Sequence, residues 1–114
     1  MKTRPKLDRM FKAFADETRL RILHLLTRGE LCVCDLTDTL GLRQPKVSRH
    51  LAYLRGAGLV EVRKEGLWKH YSLAETRGRF HAGLLACLRG CFSEVDVLRR
   101  DDARLKKLLK KRSC

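Results

Sequence analysis

Residues 30–53 read ELCVCDLTDTLGLRQPKVSRHLAY, and the remainder of the chain is arranged around them. On a wheel of about 100° per residue, Val33, Leu36 and Leu40 fall on one side. A helix beginning near Cys32 therefore buries that side and stops at Gly41. Pro45 is tolerated only in a first helical turn, which sets Gln44 at or near the N-cap of the next helix. Val47, Leu51 and Leu54 then supply a buried stripe, and Gly56-Ala57-Gly58 closes the helix. Two short helices joined by a glycine turn make a helix-turn-helix pattern.

Upstream, Leu7, Met10, Phe11 and Phe14 recur at i, i+3, i+4 and i+7, one stripe of a first helix. Asp16 can cap a second helix whose buried side is Leu20, Ile22, Leu23, Leu25 and Leu26 and which Gly29 ends. Arg19 and Arg21 in that helix are expected to be solvated. Downstream, Leu59, Val60 and Val62 start a strand, Glu65-Gly66 marks a turn, and Trp68, Tyr71 and Leu73 form the return strand. A basic hairpin directly after a helix-turn-helix is a wing. A fifth helix is expected over residues 76–99, with Phe80, Leu84, Cys87, Leu88, Cys91, Val95 and Leu98 on its apolar face. Residues 99–114 hold eight basic and two acidic residues, with Leu105, Leu108 and Leu109 at helical spacing.

The expected fold is mainly α with a small β-hairpin wing, a winged helix-turn-helix. Residues 1–98 form the domain and residues 99–114 a basic tail or short helix. The first and fifth helices carry more apolar face than so small a domain needs. A homodimer seam through these two helices is the expected use of the surplus.

Lys and Arg number 26 against 13 Asp and Glu, a net charge of +13 on 114 residues. So basic a domain is suited to a polyanion, nucleic acid first. No apolar run approaches the roughly 18 residues of a membrane span, and the charged N-terminus lacks the apolar centre of a signal peptide. A cytoplasmic location is expected, where five cysteines are free, metal-binding or redox-active rather than a disulfide framework.

On the fourth helix Arg49 points almost opposite Val47, flanked by Lys46, Ser48 and Tyr53, with Gln44 at the N-terminal end. Arg can bond guanine, and Gln adenine, through two hydrogen bonds. Lys46 and Ser48 suit phosphates. His50 lies beside the buried stripe, and packing and a phosphate contact both remain open for it. In the wing, Arg63, Lys64 and Lys69 surround the turn. A dimer would set two reading helices about 34–36 Å apart on double-stranded DNA and read an inverted repeat.

Cys32 and Cys34 form a C-x-C expected in the first turn of the third helix. Positions i and i+2 lie about 200° apart on a helix, so one ion cannot take both sulfurs while that turn stays regular. Binding a thiophilic ion would then unwind the helix start, and this helix supports the reading helix through Leu36 and Leu40. The helix dipole at that end favours the thiolate, and thiolates select soft ions over Mg²⁺ or Ca²⁺. Zinc would usually want four ligands, and no further His or carboxylate arrangement completes such a set. Two ordinary cysteines remain the alternative reading of the spacing alone.

ELCVCDL, followed by LGLRQPKVSRHLAYLRGAGLVEVRKEGLWKHYSL, resembles the arsenic-responsive branch of the ArsR/SmtB family of winged-helix repressors. The similarity runs from about Leu7 to Leu73 and more loosely through the fifth helix. It implies that Cys32 and Cys34 bind arsenite or antimonite, As(III) or Sb(III), as inducer, and that binding releases a homodimer from operator DNA. No organic cofactor is implied. Members with this box often carry a third cysteine where this chain has Thr37, so a third donor comes from elsewhere or two suffice. Cys87 and Cys91, spaced i, i+4, can chelate, though packing with Leu84, Leu88 and Val95 is the expectation. Some relatives do carry inducer cysteines on this helix; Cys114 is the weakest candidate.

Catalysis is not expected: His24, His50, His70 and His81 form no H-E-x-x-H, and there is no glycine-rich phosphate loop or triad. The alternative function is a thiol-redox or persulfide-sensing repressor of the same fold, its cysteine pair closing as a disulfide. An architectural DNA-binding protein with incidental cysteines is the third.

Overall fold

The computed structural model describes residues 4–90 and 92–112. In chain order it holds α1 (Arg4–Phe14), α2 (Glu17–Leu26), β1 (Leu31–Cys32), α3 (Val33–Leu40), α4 (Gln44–Gly56), β2 (Val60–Glu65), β3 (Trp68–Leu73), α5 (Arg79–Gly90), a 3-10 turn over Phe92–Glu94, and α6 (Asp96–Arg112). The helices pack beside a three-stranded antiparallel sheet of order β1-β3-β2, the architecture of a winged helix-turn-helix. No helix among the described residues is long and apolar enough to cross a membrane.

The helix-turn-helix forms for local reasons. Gly41 adopts φ 68°, a left-handed C-cap that an L side chain resists, and its N–H bonds the Thr37 carbonyl at 2.9 Å. Arg43 is the N-cap of α4, so Gln44 is its first helical residue and Pro45 its second, within the first turn as expected. Val47, Leu51 and Leu54 are fully buried. Each contributes about 1.5–3 kcal/mol of burial, so α4 is held rigidly to the core.

Asp16 caps α2 by accepting the Arg19 N–H at 3.0 Å, and Ile22, Leu23 and Leu25 behind it are solvent-free. The wing turns at Gly66-Leu67, between Glu65 and its partner Trp68. Gly66 takes φ 61°, as two-residue hairpin loops require.

The structure corrects several expectations. Leu31 and Cys32 pair with Tyr71 and His70 as a strand, so α3 begins at Val33 and Cys32 is its extended N-cap. Two residues give no readable alternation, which is why this strand escapes pattern reading. The fifth helix does not run through residues 76–99. It spans Arg79–Gly90, where glycine weakens the helix and the Ser93 hydroxyl bonds the Gly90 carbonyl at 2.9 Å. Its buried stripe is His81, Leu85 and Leu88, one position round from the expected face, leaving Phe80 and Cys87 exposed. Residue 98 lies within α6, which packs on α2 and α3 through Leu98, Asp101 and Leu105.

Finally, Arg19 and Arg21 are not solvated charges. Arg19 bonds the Lys12 and Ala13 carbonyls at the end of α1. Arg21 grips the buried Asp101 carboxylate with Nε at 2.8 Å and Nη2 at 2.9 Å. That partner lies 80 residues away, beyond any local signal.

Candidate DNA interface and thiol site

α4 presents Arg49 exposed and opposite its buried stripe, with Lys46 exposed and Ser48 half-buried on the flanks and Gln44 exposed at the N-terminal end. Gln44 also stands at the helix N-terminus, where free N–H groups favour phosphate oxygens. In the wing, Lys64 and Lys69 are exposed and directly opposite each other across β2 and β3. Like charges so paired destabilise a hairpin, and an anion between them would relieve it.

The remaining expected contacts are engaged elsewhere. Arg63 donates to Glu30 at 2.7 and 3.1 Å and to Glu65 at 3.2 Å. Those two carboxylates raise its already high pKa, and a phosphate would have to exchange with them. His50 is half-buried with Nδ1 3.9 Å from the Asp16 carboxylate. Burial lowers its pKa against the opposing pull of Asp16, so the packed reading of His50 fits its surroundings. Tyr53 packs against the core, its ring beneath the guanidinium groups of Arg19 at 4.2 Å and Arg9 at 5.4 Å. His50 and Tyr53 thus join α4 to α1 and α2, apart from the exposed cluster of Gln44, Lys46 and Arg49.

Cys32 and Cys34 sit on either side of a strand-to-helix junction. Cys32 has φ −81° and ψ 162°, and its N–H and thiol both donate to the Asp35 carboxylate, at 3.3 and 3.2 Å. Asp35, three residues on, thereby fills one role of a capping box. Cys34 lies inside the first helical turn. The 200° separation of a regular helix therefore does not describe this pair, because Cys32 is outside the helix. Bringing both sulfurs to one ion would move the junction of β1 and α3.

The thiol chemistry also differs from expectation. Burial, with the Asp35 carboxylate beside it, raises the Cys32 pKa despite the helix terminus nearby. Cys34 lines a cleft of about 460 Å³ together with Gln44 and Ser48 of α4 and Trp68 and Lys69 of the wing. The Thr37 hydroxyl donates to the Cys34 carbonyl at 3.0 Å, within its own helix. Cys87 is exposed on α5, while Cys91 and Cys114 lie outside the described residues. Among the described residues no group of three or more His, Cys, Asp or Glu is gathered for a metal ion.

Sequence reasoning missed Asp35 and Trp68. Asp35 was findable, since an acid three residues after a cap is a recognised terminus signal. Trp68 read only as a strand residue, and nothing local reveals that its ring borders the Cys34 cleft.

The sequence profile of the bacterial regulatory proteins of the arsR family matches residues 16–62. The arsenical resistance operon repressor of Escherichia coli (strain K12) is 59% identical over 66 residues, which are 57% of this chain and 56% of that protein. The chain spans about half the length of such repressors. The structure of reduced HlyU from Vibrio cholerae N16961 superposes with a TM-score of 0.69 at 36% identity, over 82% of this chain and 95% of that one. The homodimeric winged helix-turn-helix DNA-binding domain of a possible ArsR-family regulator from Mycobacterium bovis gives 0.65 at 34% identity, over 80% and 82%. Matching sequence across the helix-turn-helix and matching fold through the wing lead to one assignment: the chain belongs to the ArsR family of bacterial transcriptional regulators.

Proposed function

We propose that this protein is a homodimeric repressor that holds an inverted-repeat operator and releases it when arsenite or antimonite bonds Cys32 and Cys34. One observation carries the reading: the C-x-C pair lies at the joint between the wing and the helix-turn-helix. Cys32 pairs with His70 of β3 and caps α3, while Cys34 shares a cleft with Gln44, Ser48 and Lys69. The likeness to arsenical resistance repressors supports the choice of inducer.

The chemistry is a ligand exchange without oxidation. Each As–S or Sb–S bond forms as a thiol loses its proton, and that proton leaves with a displaced hydroxide as water. The Cys32 thiol must leave the Asp35 carboxylate to react. Its departure loosens the start of α3 and strains the β1–β3 pairing, and both changes reach the DNA-facing residues. The third position on the metalloid keeps hydroxide or takes a solvent thiol.

The dimer seam runs through α1 and α5. Phe11 and Phe80 bring these helices edge-to-face at 5.4 Å and are both about half exposed, at 48% and 56%. Such an aromatic pair suits burial against a second copy. The protein works in the cytoplasm, where thiols stay reduced.

The test starts with an operator selected from a random-sequence duplex library. Arg49→Ala should weaken its binding by about 1–3 kcal/mol and relax the sequence preference. Release is then titrated with arsenite, antimonite, zinc, cadmium and peroxide. Arsenite or antimonite should act on the wild type and on Cys87→Ser/Cys91→Ser, and lose effect on Cys32→Ser/Cys34→Ser. Loss only in the Cys87/Cys91 variant would move the site to that pair. Release by peroxide alone would favour the thiol-redox reading, which the likeness to a regulator solved in a reduced form motivates.

A further inference from the structure

α6 carries eight of the chain's 26 Lys and Arg residues, and its charges are sorted by face. Asp101 pairs with Arg21 and Asp102 with Arg28, so these two acids face α2. Leu98, Asp101 and Leu105 form the buried stripe. On a wheel of about 100° per residue, Arg100, Arg104, Lys107 and Lys111 gather on one flank of that stripe, and Arg99 and Lys106 on the other.

The first flank turns towards the end of α3. Arg104 Nη1 donates to the Thr39 carbonyl at 3.3 Å. Arg104, Lys107 and Lys111 line a cleft of about 570 Å³ whose other wall includes Asp38 and Thr39. Thr39 and Leu40 end α3, just before the Gly41 turn that leads into Arg43 and Gln44. The cationic flank therefore stands beside the helix-turn-helix turn, next to the end of α4 that bears Gln44 and Lys46. At 1.5 Å per residue it runs for about 16 Å.

We infer that this flank of α6 is a phosphate-binding surface that contacts the backbone of the same duplex whose groove α4 enters. The inference rests on the DNA-binding reading above. A merely solvated helix face alternates its signs; from Arg100 to Lys111 this flank carries no carboxylate. Arg100, Arg104 and Lys107 recur at i, i+4 and i+7, where neighbouring like charges repel by a few tenths of a kcal/mol each. A polyanion relieves that repulsion and releases its own condensed counterions. The bidentate Arg21–Asp101 pair and the buried leucines fix the flank in place, so little order is lost on contact. These contacts position the protein and read no sequence.

Because phosphate contacts need no particular sequence, the test uses a fluorescein-labelled duplex of mixed sequence and the full chain. Affinity is measured against salt for wild type, Arg100→Gln/Lys107→Gln, and Arg99→Gln/Lys106→Gln. The two variants lose equal charge, all four positions are exposed, and thermal melts check that each is folded. At about 0.9 per phosphate, the Arg100/Lys107 variant should flatten the log K against log salt slope by about 2 per protomer, or about 4 for a bound dimer, while the Arg99/Lys106 variant keeps the wild-type slope. Equal flattening in both, or none in the first, overturns the inference and leaves the DNA reading intact. A wild-type chain that binds no duplex removes that reading and the inference with it.

Discussion

Removing the Asp101 carboxylate tests whether α6 is an integral part of the domain. The carboxylate is 2% exposed and the Arg21 side chain 16%, and the two meet through paired contacts of 2.8 and 2.9 Å. Asp101→Ala leaves the Arg21 guanidinium without its partner in a largely dry setting. Breaking a buried pair from one side costs about 3–5 kcal/mol, and the small exposure of Arg21 puts the expectation near the lower end, about 3 kcal/mol. At about 2.1 cal/mol/K per residue, the 114 residues give an unfolding entropy near 0.24 kcal/mol/K. The melting temperature should then fall by about 12 °C. Thermal denaturation followed by circular dichroism reads this directly. Arg21→Met/Asp101→Leu should recover most of the loss, because a packed apolar pair leaves no charge stranded. A fall of under about 3 °C for Asp101→Ala, or a double variant whose loss equals the sum of its singles, would refute the coupling of α6 to α2.

Two further outcomes follow from the thiol junction and the buried imidazoles. Asp35→Asn keeps an acceptor for the Cys32 N–H but removes the charge beside the thiol, so the Cys32 pKa should fall back towards its ordinary value. With the other four cysteines changed to Ser, faster alkylation of Cys32 by iodoacetamide at neutral pH is expected, at a capping cost of about 1 kcal/mol or less; an unchanged rate would rule out Asp35 as the holder of that proton. His24, His50 and His81 all have pKa values lowered, chiefly by burial. The unfolded chain therefore binds more protons than the folded one below the ordinary histidine value of about 6.5. Stability should be full above that pH and decline as the pH falls through the depressed folded values. His81→Asn, which can still accept the Arg77 N–H that Nδ1 now accepts, should flatten this acid slope in melts between about pH 7.5 and 5.5, and an unaltered slope would count against His81.

The elements that pattern reading recovered are those whose determinants sit within a few residues of one another. Gly41, Pro45 and the Val47-Leu51-Leu54 stripe specify the helix-turn-helix by cap geometry and burial alone. The wing follows from alternation and the glycine at its tip. What escaped depends on partners distant in sequence. α6 has an amphipathic pattern weakened by its charges, and its buried aspartate is explained only by Arg21 on α2. The exposed Phe80 and Cys87 lie one wheel position from the true buried stripe of α5, a difference that tertiary packing decides.

The same distinction runs through the candidate site. The exposure of Gln44, Lys46 and Arg49 was legible because it follows from the position of the helix's buried face. His50 and Tyr53 share that helix yet are occupied by Asp16, Arg9 and Arg19 from other elements. For the thiols, spacing alone placed both on one helix and located any strain within it. The pairing of Cys32 with β3 shifts that strain to a junction. This shift matters for mechanism. A helix unwound at its first turn alters α3 alone and reaches α4 only through Leu36 and Leu40. Under the proposed function, a junction pulled at Cys32 acts on the wing and on α3 together, and each carries or supports a different set of the cations proposed to face DNA. Releasing both from one pair of sulfurs would then need no separate relay between the proposed inducer and the duplex.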